Sequence, residues 1–383
     1  MVLKIVLLHR FIPHYRSRPF HKLHVDHGWR IVSSASRGKS LGIALSDTDD
    51  WVERENMILL RGGRVAILLL RKVLSRMRGT DILVSEFSLN ISWCYEMAIR
   101  ACVPARFRRT LYIFYSHGFT KGEINNGGAK FFLKRWMFNR VDGVICYTPE
   151  AASLLRRTSA QTNIYSVRNT IDLAGVNLSL EQGRDADHEK NGCLRAVISN
   201  RLVENKNVDI AIKAIADCKK NLESDDIALT VIGDGPLRAE LEDLSHSIGA
   251  NVTFVGEVYD IEKLSALFSE CDVAVIPGAA GLFVNQALAF GLPVVLFDQV
   301  NARGHHPEEA YVVDGVNGIR IPGFPDAHRL AEVFFSLASN APRLDRMSRG
   351  AKAYSEQNLG IEQWLHGMHA ACEDVFNVTR SLK

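Results

Sequence analysis

No segment of this sequence is long and apolar enough to cross a membrane. Its longest apolar run, residues 65–70 (VAILLL), stops at Arg71, well short of the roughly 18–20 residues that a span requires. The opening MVLKIVLLHRF is too short for the apolar region of a signal peptide and has no small-residue cleavage site, so it is expected to form a first buried strand. The seven cysteines are odd in number and include no C-x-x-C pair, which argues against a disulfide framework and a zinc site and fits a reducing compartment. A dinucleotide fingerprint G-x-G-x-x-G is absent, weakening any NAD reading, and there are no internal repeats or low-complexity stretches. What is present has a soluble globular composition, 47% hydrophobic and 23% charged, in a chain of 383 residues that has room for two ordinary domains. A cytoplasmic protein is expected.

The net charge of +3 conceals an asymmetry. Residues 1–180 hold 27 Lys and Arg against 13 Asp and Glu, a surplus of 14, whereas the other 203 residues hold 19 against 30, a deficit of 11. Such opposition suggests that only the first half faces an anionic partner: nucleic acid, a membrane surface or a phosphorylated lipid. A merely solvated basic surface is the alternative.

Short β-branched runs alternate with helical patterns. In the first half they are residues 4–9, 30–35, 81–87, 111–117, 143–148 and 164–169, and in the second 195–199, 228–233, 252–256, 273–277 and 293–298. Continuous apolar strands between helices predict parallel sheets covered on both faces, hence an α/β class with two doubly wound domains. The polar stretch 178–194 is expected to link a first domain (1–177) to a second (195–350). Beyond about residue 325 the pattern is helical, and helices within 351–383 are candidates for packing back on the first domain. Ligands of such sheets bind beyond the carboxyl ends of the strands, so the chemistry is expected in those loops.

Arg201 and Lys206 follow the first strand of the second domain, in VISNRLVENKNVDIAIKAI (197–215). A guanidinium that grips two oxygens and an ammonium point charge suit a diphosphate; two solvated loop cations are the plainer reading. The next strand ends in VIGDGPL, where Gly233, Asp234, Gly235 and Pro236 make a tight turn. VTFVGEV (252–258) follows, then a strand, a Gly-rich turn, a helix and Gly-x-Pro in the segment that ends QALAFGLPVV.

Together with SHG (116–118), VDGVICYTPEAASLL (141–155) and NTID (169–172), these motifs resemble the GT-B glycosyltransferases of family GT4, the group 1 retaining enzymes, over roughly residues 1–350. The resemblance implies two Rossmann-like domains facing across a cleft and a nucleotide-diphospho-sugar donor bound mainly by the second. Arg201 and Lys206 would hold the diphosphate, joined by amides near Gly281 and Leu282, since a helix N-terminus attracts anions. No metal would then be required and no other cofactor is expected. By analogy, Phe254, Val255, Gly256 and Val258 would border the base, with Asn200, Gly233 and Asp234 beside them. His117 would lie near the reaction centre.

Departures from the family pattern matter. Of its E-x7-E motif the second position is Gln286, which can still hydrogen-bond a ribose, and Gly278 stands where the first glutamate is expected. A bacterial polysaccharide-type subset carries a similar PG-x-x-GL segment followed by PE; Glu308, in HHPEEAYVVDGVNG, is the candidate replacement acid, against a plain helix-starting carboxylate. Asn200 replaces a common glycine and is expected to tolerate a left-handed turn. On the acceptor side, Tyr15, Arg16 and Arg18 in HRFIPHYRSRPFHKL, and Glu123 and Asn125 after SHG, are candidates, an ordinary polar loop being the alternative. Basic residues gather on stretches expected to be helical (61–79, 99–109, 130–140), the last two mixed with aromatics. That combination suits an anionic membrane surface and a lipid-linked acceptor, unless Phe131, Phe132 and Trp136 are core. The expectation is therefore a retaining transferase of envelope polysaccharide synthesis, cytoplasmic or peripheral on the inner face of the cell membrane. A nucleotide-sugar epimerase or hydrolase of the same fold, or a non-catalytic nucleotide-sugar-binding descendant, remains the alternative.

Overall fold

The computed structural model describes residues 2–34, 39–40, 43–44, 50–61, 64–76, 78–119, 121–171, 193–221, 226–298 and 307–381. Most of the expected linker (178–192), Asp172 and the HH preceding Pro307 lie outside the described residues. The chain divides into two compact units, Met1–Asp172 with Ile361–Lys383, and Leu173–Gly360.

Unit 1 is built on a seven-stranded sheet in the order β11-β10-β9-β8-β1-β2-β5. These strands are β1 (Ile5–Leu8), β2 (Arg30–Ser34), β5 (Val52–Glu55), β8 (Ile82–Glu86), β9 (Leu111–Ser116), β10 (Gly143–Cys146) and β11 (Ile164–Ser166), with β3 (Lys39–Ser40) and β4 (Ile43–Ala44) as a separate short pair. All seven pair in parallel. LYIFYS and ILVSE are buried at every position, as strands covered on both faces must be. The covering helices are α1 (His14–His27), α2 (Leu70–Arg76), α3 (Ser92–Arg100), α4 (Lys121–Asn126), α5 (Ala129–Arg140), α6 (Pro149–Thr158) and α13 (Ile361–Ser381).

The last of these, α13, comes from the far end of the chain. Trp364, Leu365, Met368, Ala371, Cys372 and Val375 repeat at helical spacing and are buried in one core with Phe20, Trp29 and Tyr115. Trp364 Nε1 donates to the Tyr115 hydroxyl at 3.1 Å, and Arg380 caps the carbonyls of Ala105 and Arg108 at 3.0 and 2.9 Å. Trp364→Ala is therefore expected to cost about 3–5 kcal/mol, readable by chemical denaturation.

Two expectations for this unit are corrected. Residues 61–79 do not begin as a helix: β6 (Ile58–Leu60) and β7 (Val65–Ile67) form an antiparallel hairpin ahead of α2. Ile58, Leu60, Ile67 and Leu69 are exposed, so the alternating strand pattern, not a helical stripe, governs them. Within 99–109, α3 ends at Arg100 and only a single 3-10 turn, Ala105–Phe107, follows, since Pro104 cannot continue the helix.

Unit 2 is a six-stranded parallel sheet in the order β14-β13-β12-β15-β16-β17. Its elements run β12 (Leu194–Ser199), α7 (Val208–Asn221), β13 (Ile227–Ile232), α8 (Arg238–Ile248), β14 (Val252–Gly256), α9 (Ile261–Ser269), β15 (Val273–Ile276), α10 (Phe283–Ala289), β16 (Val294–Phe297), β17 (Gly318–Ile321), α11 (Ala327–Ala338) and α12 (Ala341–Asn358). Alternation of strand and helix forces right-handed crossovers and gathers the loops after β12, β13, β14 and β15 at one edge.

Candidate functional site

In unit 2, the loop after β12 is laced to its neighbours by backbone bonds. Asn200 N–H donates to Ile232 O and Leu202 N–H to Asp234 O, each at 3.0 Å. A 3-10 turn, Glu204–Lys206, then ends at Asn207 in the left-handed region (φ 49°) before α7 begins. Asn200 itself is not left-handed; the strained residue lies seven positions later, because the turn is closed by a helix start rather than by a bend at the strand end.

Lys206 Nζ donates to the Ala279 carbonyl at 2.6 Å, and Ala279 N–H returns a bond to Asn205 O at 2.8 Å. The loops after β12 and β15 are thus clasped. Gly278 permits this, since a Cβ there would stand 2.4 Å from Asn205 O and from the Lys206 carbonyl carbon. Burial lowers the Lys206 pKa, and the nearby charge of Glu308 opposes that shift. Glu308 is buried within the 3-10 helix Pro307–Tyr311, so one unit brings Lys206, the turn at Gly278–Gly281 and Glu308 together. Gly281 faces the ammonium: a Cβ there would sit 3.8 Å from Nζ. Arg201 is exposed at the same edge and has no ion-pair partner among the described residues, an arrangement that leaves it available to an anion.

The remaining donor-side candidates frame this centre. Gly233 has φ 130° and a Cβ there would fall 2.0 Å from Asn200 O, so no other residue fits without moving the Arg201 loop. Asp234 shapes its own turn, accepting from Gly235 N at 2.6 Å and facing Arg238 Nη1 at 3.4 Å. β14 is the edge strand, with Phe254 packed on the core, Val255 exposed, Gly256 at φ 88° and Val258 against a second core. Leu282 precedes α10 without a side-chain cap, and Gln286 is half-buried on that helix of 7 residues. Asn285, fully buried beside it, went unnoticed in the sequence, where QAL drew attention instead.

Unit 1 gathers its own polar group at the carboxyl edge. Glu86, at the end of β8, accepts from Arg10 N at 2.6 Å, from Arg10 Nε at 2.9 Å and from Arg10 Nη2 at 3.2 Å. His9 Nε2 lies 3.6 Å from the same carboxylate, and its Nδ1 is 2.6 Å from Phe11 O. Burial lowers the His9 pKa against the pull of Glu86. Burial raises that of Glu86, but His9 and Arg10 outweigh it and leave the carboxyl below its ordinary value. Arg10, bonded to both carboxylate oxygens, grips Glu86 directly. Arg16 is buried at 6% exposure on α1 and its Nη2 donates to Asn169 Oδ1. Tyr15 is half-buried and Arg18 exposed.

His117 is exposed after β9 and lies over Tyr147, ring centroids 4.4 Å apart. Glu123 is held by Lys134 at 2.9 and 3.0 Å, the same ammonium donating to Gly118 O at 3.0 Å, while Asn125 is exposed. The aromatics of α5 divide: Phe131 is buried, whereas Phe132 (58%) and Trp136 (36%) are exposed. His9, Arg10 and Glu86 were missed as a group, although a carboxylate that closes an otherwise apolar strand, as in DILVSEF, was a usable signal. No cluster of three or more His, Cys, Asp or Glu able to hold a metal occurs among the described residues, and no described helix is long and apolar enough to cross a membrane.

Residues 184–354 match the family model described as glycosyl transferases group 1. A Mycobacterium tuberculosis GDP-mannose-dependent alpha-(1-6)-phosphatidylinositol dimannoside mannosyltransferase is 31% identical over 160 residues, 40% of this chain and 40% of its own length. A Campylobacter jejuni alpha-1,4-N-acetyl-D-galactosaminyltransferase, named for an acceptor on diphospho-undecaprenol, is 34% identical over 116 residues, 30% of this chain and 28% of its own. The chain thus spans well under half the length of these curated relatives. Among solved structures, Anabaena HepE in complex with UDP superposes with a TM-score of 0.70 at 16% identity, covering 97% of this chain and 100% of that one. The lipopolysaccharide glycosyltransferase WaaG gives 0.61 at 14%, covering 96% and 98%. At such identities the likeness is one of fold, and that fold is GT-B.

Proposed function

We propose, from the match of residues 184–354 to the glycosyl transferases group 1 model, that the protein is a retaining glycosyltransferase. It moves a sugar from a nucleotide-diphospho-sugar to a hydroxyl of a glycan or lipid-linked acceptor, in envelope polysaccharide or glycolipid synthesis. The observation that carries this reading is the clasp of Lys206 on Ala279, with Glu308 behind it and Gly278 and Gly281 admitting close approach. An ammonium fixed by a backbone carbonyl, on the same loop as a guanidinium with no ion-pair partner among the described residues, is preorganised for the charge that grows on a departing diphosphate. Such groups need no reorganisation as the glycosidic bond breaks, so no metal is required in this mechanism. Glu308 stands where a carboxylate can accept from a sugar hydroxyl and fix its orientation. His117 and the polar edge of unit 1 serve the acceptor.

The mycobacterial relative is named for GDP-mannose and a HepE structure holds UDP-glucose; both are nucleotide-diphospho-sugars. Incubation with UDP-, GDP- and ADP-sugars and a lipid extract should yield a glycosylated product of retained anomeric configuration from one donor. Donor consumption without an acceptor would instead indicate a hydrolase or epimerase, and binding without turnover a non-catalytic descendant. Glu308→Gln is expected to lower kcat about 10²-fold while leaving nucleotide affinity within about threefold, because the Lys206–Ala279 hydrogen bond that fixes the ammonium stays in place and the proposed contact with the sugar is lost.

The first unit presents exposed Phe107, Phe132 and Trp136 among Arg106, Lys130, Arg135 and Arg140. Aromatic rings between cations suit the interface of an anionic bilayer. Flotation with phosphatidylglycerol vesicles is expected to carry the protein upward at low salt, and Phe132→Ser with Trp136→Ser to reduce the floated fraction several-fold. Equal flotation of that variant would place the contact elsewhere.

A further inference from the structure

Among the described residues, the buried guanidinium of Arg16 has no counterion. It stands in the first turn of α1, a helix of 14 residues whose N-cap, Pro13, offers no side-chain cap and whose first turn contains no acid. The end of the helix and the arginine are both positive, so each raises the cost of the other. Arg16 is only 6% exposed, and its side-chain hydrogen-bond partners, the amide oxygen of Asn169 and the hydroxyl of Tyr115, are both neutral groups. Nη1 is buried without any partner. The rings of Phe20, Tyr115 and Tyr147 each lie 5.9 Å from the guanidinium carbon, which softens the charge without neutralising it. The carboxylate of Glu86, near His9, is already gripped by three donors of Arg10.

A guanidinium does not deprotonate, and a buried charge without an opposite partner is costly. The arrangement becomes favourable when an anion arrives. Tyr115, Tyr147 and Asn169 stand at or just beyond the ends of β9, β10 and β11, so Arg16 is aimed over the carboxyl edge of the unit 1 sheet. Solvent reaches that edge at exposed His117, whose ring lies tilted against Tyr147.

We propose that Arg16 and the N-terminal turn of α1 form a receptor for a phosphate group carried by the acceptor substrate. Phosphate matches the planar fork of the guanidinium, and the positive end of the α1 dipole favours the same anion. That the phosphate belongs to an acceptor rests on the transferase reading above; that the site takes a phosphate does not.

The test is thermal melting and titration calorimetry of the full chain with sn-glycerol 1-phosphate, with glycerol as the uncharged control, in the absence and presence of saturating UDP. The melting temperature of the wild type is expected to rise with glycerol phosphate and not with glycerol, and to do so on top of any UDP effect. Arg16→Met should melt at or above the ligand-free wild type, because an uncompensated charge is gone, yet bind glycerol phosphate at least tenfold more weakly. Arg16→Lys should retain part of the response. The proposal is overturned if the wild type ignores glycerol phosphate, if Arg16→Met binds it equally, or if UDP abolishes the response, which would assign the anion to the donor. It is overturned equally if Arg16→Met melts well below wild type, since that is the mark of a structural arginine. Failure of UDP, GDP and ADP alike to bind would instead remove the transferase reading and leave the phosphate result standing.

Discussion

Lys206→Ala is expected to lower the rate of the proposed sugar transfer by about 10²–10³-fold, the usual cost of removing one preorganised charge stabiliser, while the protein stays folded. The reason lies in two bonds. Ala279 O takes the ammonium at 2.6 Å, but Ala279 N–H still donates to Asn205 O at 2.8 Å without it, so the loops remain joined. What disappears is the positive charge facing Gly281. Because the negative charge on a diphosphate grows as the sugar departs, the loss should appear in kcat more than in KM. A fall in KM-related binding with kcat unchanged would mean that Lys206 serves ground-state binding only. Lys206→Arg should not rescue fully, as a forked guanidinium does not fit a socket built for one nitrogen.

Gly233→Ala is expected to be more damaging to the fold than any other single change at this edge. The glycine sits at φ 130° and a Cβ would approach Asn200 O to 2.0 Å, a clash with backbone that no rotamer relieves. The loop carrying Arg201 must shift, and the hydrogen bonds of Asn200 to Ile232 and of Leu202 to Asp234 go with it. A loss of about 4 kcal/mol or more follows, equivalent to roughly 10 °C in melting temperature for a unit of this size. Gly281→Ala is the matched control: its Cβ would meet Lys206 Nζ at an ordinary 3.8 Å, so stability should change little. Equal melting of Gly233→Ala and wild type would contradict the close approach of the two loops.

Much of the fold was legible because buried parallel strands announce themselves. ILVSE, LYIFYS and LRAVIS are unbroken apolar runs apart from their ends, and all three are strands. The edge strand β5, VERE, was missed because exposure of its middle residues allows charge there. The β6–β7 hairpin was taken for part of a helix because arginines on both sides of a Gly-Gly pair mimic an amphipathic stripe. A helix that joins the core of a distant unit, as α13 does through Trp364, is recorded by its apolar spacing, but the spacing does not name the surface it covers.

At the site the sequence was informative about types and less so about pairings. Glycines at 233 and 278 were recognised as turn residues; that each is required by a neighbouring backbone at 2.0 and 2.4 Å depends on loops far away in the chain. Asn200 was assigned a left-handed backbone that Asn207 adopts instead, since both asparagines flank the same loop and only the helix start decides between them. Glu86 and Arg10, 76 residues apart, could be paired only once β1 and β8 were neighbours.

The central claim is that the carboxyl edge of the second unit binds a nucleoside diphosphate through Arg201 and Lys206. Calorimetric titration of UDP, GDP and ADP into the wild type and into a variant combining Arg201→Ala with Lys206→Ala tests it most directly. One diphosphate should bind the wild type, with affinity falling at least about 100-fold in the variant, near 1.4 kcal/mol for each factor of ten. Failure of all three to bind, or equal binding by the variant, would contradict it.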